Sequence, residues 1–277
     1  MRDATARVHA FDAATPRRRE RAIEDLAEGL VRWRLAWALA RSDITHRYRG
    51  SVLGPFWLTL STAVMLGALG FLYAKLFRID PTEYLPWLSV SLIVWNVLSA
   101  TVTDATTSLT SAEGVIRQMP LPYSVHAMRV VIRNALMAAH NLPLVVVVFL
   151  IFGVPFTWMA LLAIPGFLLI GIGGFAAAIL LGMVCARFRD IPPIVGSLMQ
   201  VAFFVSAVIW KPEMVGHWEP FLPLNPVFAV METVRAPIMG RTGGIVVWVA
   251  AFAWTGLLVA TAWAFFVRFR GRIAFWV

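Results

Sequence analysis

Six stretches of this 277-residue chain are each apolar over about the length that a helix needs to cross a bilayer core, roughly 20 residues, and they leave few folds open. They run from about Phe56 to Phe77, Tyr84 to Thr103, Val130 to Phe152, Trp158 to Ala186, Ile194 to Trp210 and Ile245 to Val267. In hydrocarbon the backbone N–H and C=O groups of a spanning segment must be satisfied internally, which a helix does within itself. Composition agrees. Residues are 60% hydrophobic and only 14% charged, whereas a soluble domain carries about 25% charged residues. The sequence therefore predicts an all-α integral membrane protein with six transmembrane helices.

The segment before the first span is different. Arginines crowd it, interspersed with Glu20, Glu24, Asp25 and Glu28, and it contains no uncharged h-region of a cleaved signal peptide. Residues 1–22 read as a disordered cytoplasmic tail. Across 23–54, Leu26, Leu30, Trp33, Trp37, Ala40, Ile44 and Tyr48 recur at steps of three and four, which predicts one amphipathic helix lying in the membrane interface. Residues 55–277 form the transmembrane domain, with Pro55 suited to the first position of its first helix. Between spans five and six lies a segment rich in proline and aromatics, about 212–242. Its Phe221, Leu222, Leu224, Val227, Phe228, Val230 and Met231 suit short re-entrant or outer helices buried against protein.

Charge orients the chain. Placing the N-terminus inside puts 19 of the 24 lysines and arginines in cytoplasmic pieces and leaves Lys75, Arg78, Lys211, Arg235 and Arg241 outside. Both termini are then cytoplasmic. The net charge of +9 is accounted for by topology, so no nucleic-acid partner is expected. Unequal loop lengths in the two halves argue against an inverted-repeat transporter.

Apart from Asp104, no span carries an ionisable group at its midplane, so proton coupling has little to act through. Neither lysine lies in a G-x-x-x-x-G-K-[ST] loop, so the chain is not an ATPase and energy would come from another subunit. His9, His46, His126, His140 and His217 have no metal-ligand spacing, and no metal or cofactor is expected in this chain. Cys185 reads as a structural thiol. Small residues at helical spacing, Gly171, Gly174, Ala178, Gly182 and Ala186 in span four and Ala63, Gly67, Gly70 and Ala74 in span one, let helices approach closely.

Three cytoplasmic features stand out. The interval 107–122 reads as a short helix over about 106–120 closed by prolines, with Glu113 and Arg117 at i,i+4 spacing. It suits a rigid stub on which a motor subunit pushes, or equally a solvated turn. ARFRDIPP at 186–193 ends a span in basic residues before a proline break. Arg47, Tyr48 and Arg49 stand at the junction of interface helix and first span, where arginine forks suit pyrophosphate or lipid headgroups. The 12 tryptophans, 19 phenylalanines and 4 tyrosines include interface-belt positions such as Trp57, Tyr84 and Trp87 and deeper ones such as Trp95. Aromatics lining a conduit stack on sugar rings; packing explains them as well.

RYRGSVLGPFW before span one, AEGVIRQMPLP, ARFRDI after span four and LPLNPVFAVMETVRAPIMG before span six, in this order, resemble the permease subunit of the ABC-2 class of polysaccharide exporters. AEGVIRQMPLPYSVH, VRAPIMG and the final GRIAFWV look most similar to the galactan and O-antigen exporters. The resemblance covers about residue 26 to the end. It implies a bacterial inner-membrane homodimer bound to two ATP-binding subunits, which hold ATP and magnesium, exporting a polysaccharide linked to polyprenyl pyrophosphate. It makes Glu113, Gly114, Arg117 and Gln118 a coupling helix and Arg189 and Asp190 part of a second ATPase contact. Trp57, Tyr73, Trp87 and Trp95 are the candidate channel aromatics, and Arg47, Tyr48 and Arg49 the candidate pyrophosphate or headgroup contacts. An ABC-2 permease for a drug or other small amphipathic molecule shares the architecture.

Overall fold

The computed structural model describes residues 17–54, 56–119 and 121–277. Those residues form α-helices and 3-10 turns without strands, and the chain is an all-α integral membrane protein. Five helical stretches are long and apolar enough to cross a bilayer: α3 (Phe56–Phe77), α4 (Pro81–Ala105), α6 (Tyr123–Phe152), Trp158–Arg187 and Ile245–Trp276. The fourth stretch is a 3-10 turn, Trp158–Leu162, leading into α7 (Ala163–Arg187); the fifth contains α10 (Ile245–Phe269), a turn at Arg270–Arg272 and α11 (Ile273–Trp276). The remaining helices are α1 (Arg18–Val31), α2 (Trp33–Arg47), α5 (Glu113–Gln118), α8 (Ile191–Val205) and α9 (Pro226–Ile238).

α4 is the central strut. Asp80 caps it, accepting from the Thr82 amide at 2.8 Å, and Pro81 occupies its first turn. Its residues from Trp87 to Trp95 are all buried. α7 packs on it through its glycines. A Cβ on Gly174 would stand 2.6 Å from Thr101 Cγ2, and one on Gly182 would stand 2.2 Å from Ser108 Oγ, so only glycine permits this approach. The small-residue stripe of span four is therefore an intramolecular seam at these two positions, whereas Gly171 meets only Val131, at 4.0 Å. In α3 the stripe is split. Gly70 and Ala74 are buried, with Gly70 against Leu85, while Gly67 faces open space.

The expected fifth span, Ile194 to Trp210, is not one helix. α8 has 15 residues, about 22 Å long at the usual helical rise of about 1.5 Å per residue, short of a hydrocarbon core about 30 Å thick. Ala207 adopts a left-handed backbone (φ 52°) and the chain continues irregularly. Ser206, Ala207, Val208 and Ile209 are buried, as non-helical backbone at membrane depth must be. Side chains satisfy two of its carbonyls, and a third bond ties down the Ser206 side chain. Arg235 Nη1 donates to the Ala207 carbonyl at 2.5 Å, the Tyr84 hydroxyl donates to the Ile209 carbonyl, and Asn225 Nδ2 donates to Ser206 Oγ at 3.0 Å.

The interface segment also departs from expectation. The predicted tail, 1–22, lies outside the described residues as far as residue 16, and α1 begins at Arg18. The single helix expected over 23–54 is two, parted at Arg32 (ψ 22°) and ending at Arg47. Leu30, Trp33 and Trp37 of the apolar stripe are exposed; the buried positions are Ala22, Asp25, Gly29, Ala36 and Ala40. Small side chains bring α1 and α2 against the bundle, Leu26 packs beside them on the core, and Leu30, Trp33 and Trp37 are left exposed. Pro55, the expected helix start, lies outside the described residues. The 212–242 segment contains a 3-10 stretch, Pro212–Leu224, broken at Gly216, and then α9. Asn225 caps α9, accepting from the amides of Val227 at 2.9 Å and Phe228 at 3.2 Å.

Candidate functional site

Two polar assemblies mark opposite ends of the bundle. At the end carrying α1, α2 and the C-terminal residues, Asp25 is fully buried on α1 and caps α6 from outside that helix. It accepts from the Ser124 amide at 3.0 Å, the Tyr123 amide at 3.2 Å and the Ser124 hydroxyl at 2.8 Å, and its Oδ2 pairs with Arg270 Nε at 2.8 Å. A carboxylate at a helix N-terminus offsets the positive end of the helix dipole. One residue thus joins α1, the start of α6 and the turn after α10. Gly29 permits the contact, since a Cβ there would lie 2.1 Å from Ser124 Oγ.

Below it, α2, α4 and α6 share a charge network. Asp43 accepts from Arg129 Nε at 2.7 Å and from Arg133 Nη1 at 2.9 Å; Arg133 Nη2 reaches Asp104 at 2.8 Å, and Asn134 Nδ2 donates to Asp104 at 3.0 Å. Burial pushes the Asp43 carboxyl up, but the Arg129 and Arg133 guanidiniums outweigh it and hold the group below the usual carboxylate range. Asp104, just past the expected end of span two, is thus a network member one residue before the end of α4.

The stub after α4 is a 3-10 turn, Thr110–Ala112, followed by α5, shorter than the helix expected over 106–120. Glu113 and Arg117 form the expected i,i+4 pair, at 2.8 Å, and Arg117 also donates to the Val277 carbonyl at 2.8 Å. Gly114, Arg117 and Gln118 are exposed, and a Cβ on Gly114 would meet nothing. Arg189 and Asp190 are exposed in the turn between α7 and α8. Arg47 and Arg49 are exposed, with no side-chain partner among the described residues, and Tyr48 is half-buried. The structure does not gather the four aromatics. Trp57 is exposed on α3, Tyr73 stacks on Phe77 with centroids 5.3 Å apart, and Trp87 and Trp95 are buried in the core, the latter edge-on to Phe203.

At the far end, Arg235 is wholly buried on α9. Its Nε donates to Glu232 Oε2 at 2.7 Å, its Nη1 to Ser91 Oγ at 3.1 Å, and it lies over the Trp87 ring 4.7 Å from the centroid. Sequence reasoning placed Arg235 only as an outer charge. The i,i+3 spacing of Glu232 and Arg235 in an apolar stretch was the available signal. No such signal existed for Asp25 with Ser124, 99 positions apart.

The family model for the ABC-2 type transporter matches residues 34–239. The chain belongs to this family. Over 203 residues it is 25% identical to the O-antigen export system permease protein RfbA of Myxococcus xanthus, covering 72% of this chain and 78% of the relative. Over 209 residues it is 21% identical to the protein of that name from Klebsiella pneumoniae, covering 74% and 80%. The matched region of this ABC-2 chain runs from α2 through α9 and so takes in both the charge network and the Glu232–Arg235 pair. It is a multi-pass membrane protein.

Proposed function

We propose that this chain is the transmembrane subunit of an ATP-driven exporter that moves polyprenyl-pyrophosphate-linked polysaccharide across the bacterial inner membrane, with both chain termini in the cytoplasm. The observation that carries the reading is similarity, over about three quarters of the chain, to two permeases named for O-antigen export. The chain contains no phosphate-binding loop, so in this reading a homodimer of the permease recruits two ATP-binding subunits, and those hold ATP and magnesium. α5 and its preceding turn, latched through Arg117, are the docking stub. The exposed turn at Arg189 and Asp190 is the smaller second contact. Arg47, Tyr48 and Arg49 receive the pyrophosphate or anionic headgroups as substrate enters, and Trp57 is the candidate aromatic exposed to it. α8 with its buried extension makes the sixth passage through the bilayer.

The stub is the place to test. Glu113→Arg breaks its pair with Arg117 and reverses the charge offered to the ATP-binding subunit. Surface polysaccharide is expected to be lost in cells carrying this variant while the permease still purifies as a folded dimer. Normal surface polysaccharide would rule out force transmission through the stub.

A further inference from the structure

A cavity of about 330 Å³ opens at the far end of the bundle, between the Pro212–Leu224 stretch, α9, the loop at 240–244 and the start of α10. That volume falls at the lower end of ligand sites, which run from about 300 to 1,000 Å³. Its wall is mixed. Glu213, Glu219 and Glu232 supply carboxylates, Arg241 a guanidinium, Phe228 an aromatic side chain and Thr242 backbone. The wall is also built rather than incidental. Glu232 is 7% exposed, Arg235 takes its Oε2, and Oε1 accepts no hydrogen bond among the described residues. Phe228 is 3% exposed. The loop is pinned by the Trp248 indole donating to the Thr242 carbonyl at 2.8 Å, and Gly243 has a left-handed backbone (φ 77°) close against Ala236.

The chemistry narrows the ligand. Glu213 is paired with Arg241 at 2.9 Å and Glu232 with Arg235, so most of the charge is internally compensated. Among the described residues no group of three or more His, Cys, Asp or Glu side chains could hold a metal ion. An anion would meet three carboxylates. What remains is a neutral ligand with several hydroxyl donors for the carboxylate oxygens. We infer that this cavity binds a pyranosyl unit of a glycan at the far end of the permease, a step that rests on the polysaccharide reading and gives it a site. Arg241 offers a donor to a ring or glycosidic oxygen, and Glu219 and the free oxygen of Glu232 accept from neighbouring hydroxyls.

The test is titration of the full-length permease, purified in lipid nanodiscs, with methyl β-D-galactopyranoside and methyl α-D-mannopyranoside, followed by saturation-transfer NMR. Saturable binding of at least one glycoside is expected. Glu219→Gln should weaken it about tenfold, since a hydrogen bond to a charged acceptor is worth about twice a neutral one, and Glu213→Gln should weaken it too, because it loosens the pair that orients Arg241. Glu219 is exposed and has no partner among the described residues, so its variant keeps the fold. No saturable binding of either glycoside, binding unchanged in both variants, or displacement of glycoside by calcium chloride would each overturn the site. Because the titration uses purified protein, it decides the site separately from the export reading, which stands or falls on surface polysaccharide in cells.

Discussion

The two ends of this bundle bury arginine–carboxylate pairs for different purposes. At the terminal end, Asp25, Asp43, Asp104, Arg129, Arg133 and Arg270 come from α1, α2, α4, α6 and the turn after α10, and each pair joins separate elements. Most of these side chains keep some exposure, from 13% to 28%, with Asp25 the buried exception. At the far end Glu232 and Arg235 share one helix, and the outward reach of Arg235 goes to a carbonyl of the irregular segment after α8. The first assembly ties α1, α2 and the C-terminal turn to the transmembrane helices. The second substitutes for helical hydrogen bonds that α8 cannot make. The difference follows from solvation: near the interface an ion pair is partly screened and can be distributed, whereas a guanidinium with no exposure must have its donors and charge met locally.

The largest break expected is at the far end. Arg235→Met leaves Glu232 buried without its partner and the Ala207 carbonyl without its donor, at a cost of about 3 to 5 kcal/mol. Thermal unfolding in detergent should shift downward by many degrees, and Arg235→Lys should not restore it, because a single ammonium cannot reproduce the fork. An unshifted transition would show that the irregular segment holds itself.

Asp25→Ala comes next. It removes an external cap from α6 and a partner from Arg270, which is partly exposed and can turn to water, so about 2 to 3 kcal/mol is expected. Hydrogen exchange at the Tyr123 and Ser124 amides should speed up, while α9 amides should not respond. A simultaneous response at α9 would mean that the two ends are one cooperative unit.

Asp43 sharpens the comparison through pH. Its carboxyl is held below its ordinary value of 3.8, so its contribution is complete above that value and is lost as pH falls through the lowered one. Protection of the α2 amides, measured against their intrinsic exchange rates at each pH, should therefore be level from pH 7 to 5 and fall in acid below about 4. Asp43→Asn should abolish that acid step, with a modest effect at neutral pH because Arg133 keeps Asp104. The smallest effect calibrates ordinary packing along α7. Gly182→Ala should cost about 1 to 2 kcal/mol, since its Cβ meets Ser108 Oγ and Leu109, whereas Gly171→Ala should stay within about 0.5 kcal/mol. Equal melting temperatures for the two variants would refute the seam between α7 and the turn that follows α4.

Much of the fold was legible along the chain because its signals are local. Hydrocarbon length marked five helices, apolar residues among prolines marked short outer helices over about 212–242, and Glu113 and Arg117 marked the stub. The candidate site was legible only in part. Arg47, Arg49, Arg189 and Asp190 are exposed, whereas Trp87, read as an interface-belt position, and Trp95, read as a deeper one, are both buried in the core. Periodicity tells which face of a helix is apolar but not whether lipid, protein or a conduit meets it. For the same reason the apolar stripe of α1 and α2 does not tell that Ala40 meets the bundle while Trp33 and Trp37 stay exposed.

What the sequence by itself determined is therefore the class of structure. A chain with these apolar lengths and so little charge can only be a helical membrane protein, because backbone groups in hydrocarbon must be satisfied within helices when no water is present. What only the tertiary structure decided is where that rule is relaxed. The expected fifth span ends its helix at Val205 because Arg235, Tyr84 and Asn225 are positioned to partner Ser206, Ala207 and Ile209. Those partners lie 19 to 125 residues from the groups they satisfy. No local pattern contains such a contact, since it exists only once separate helices have packed.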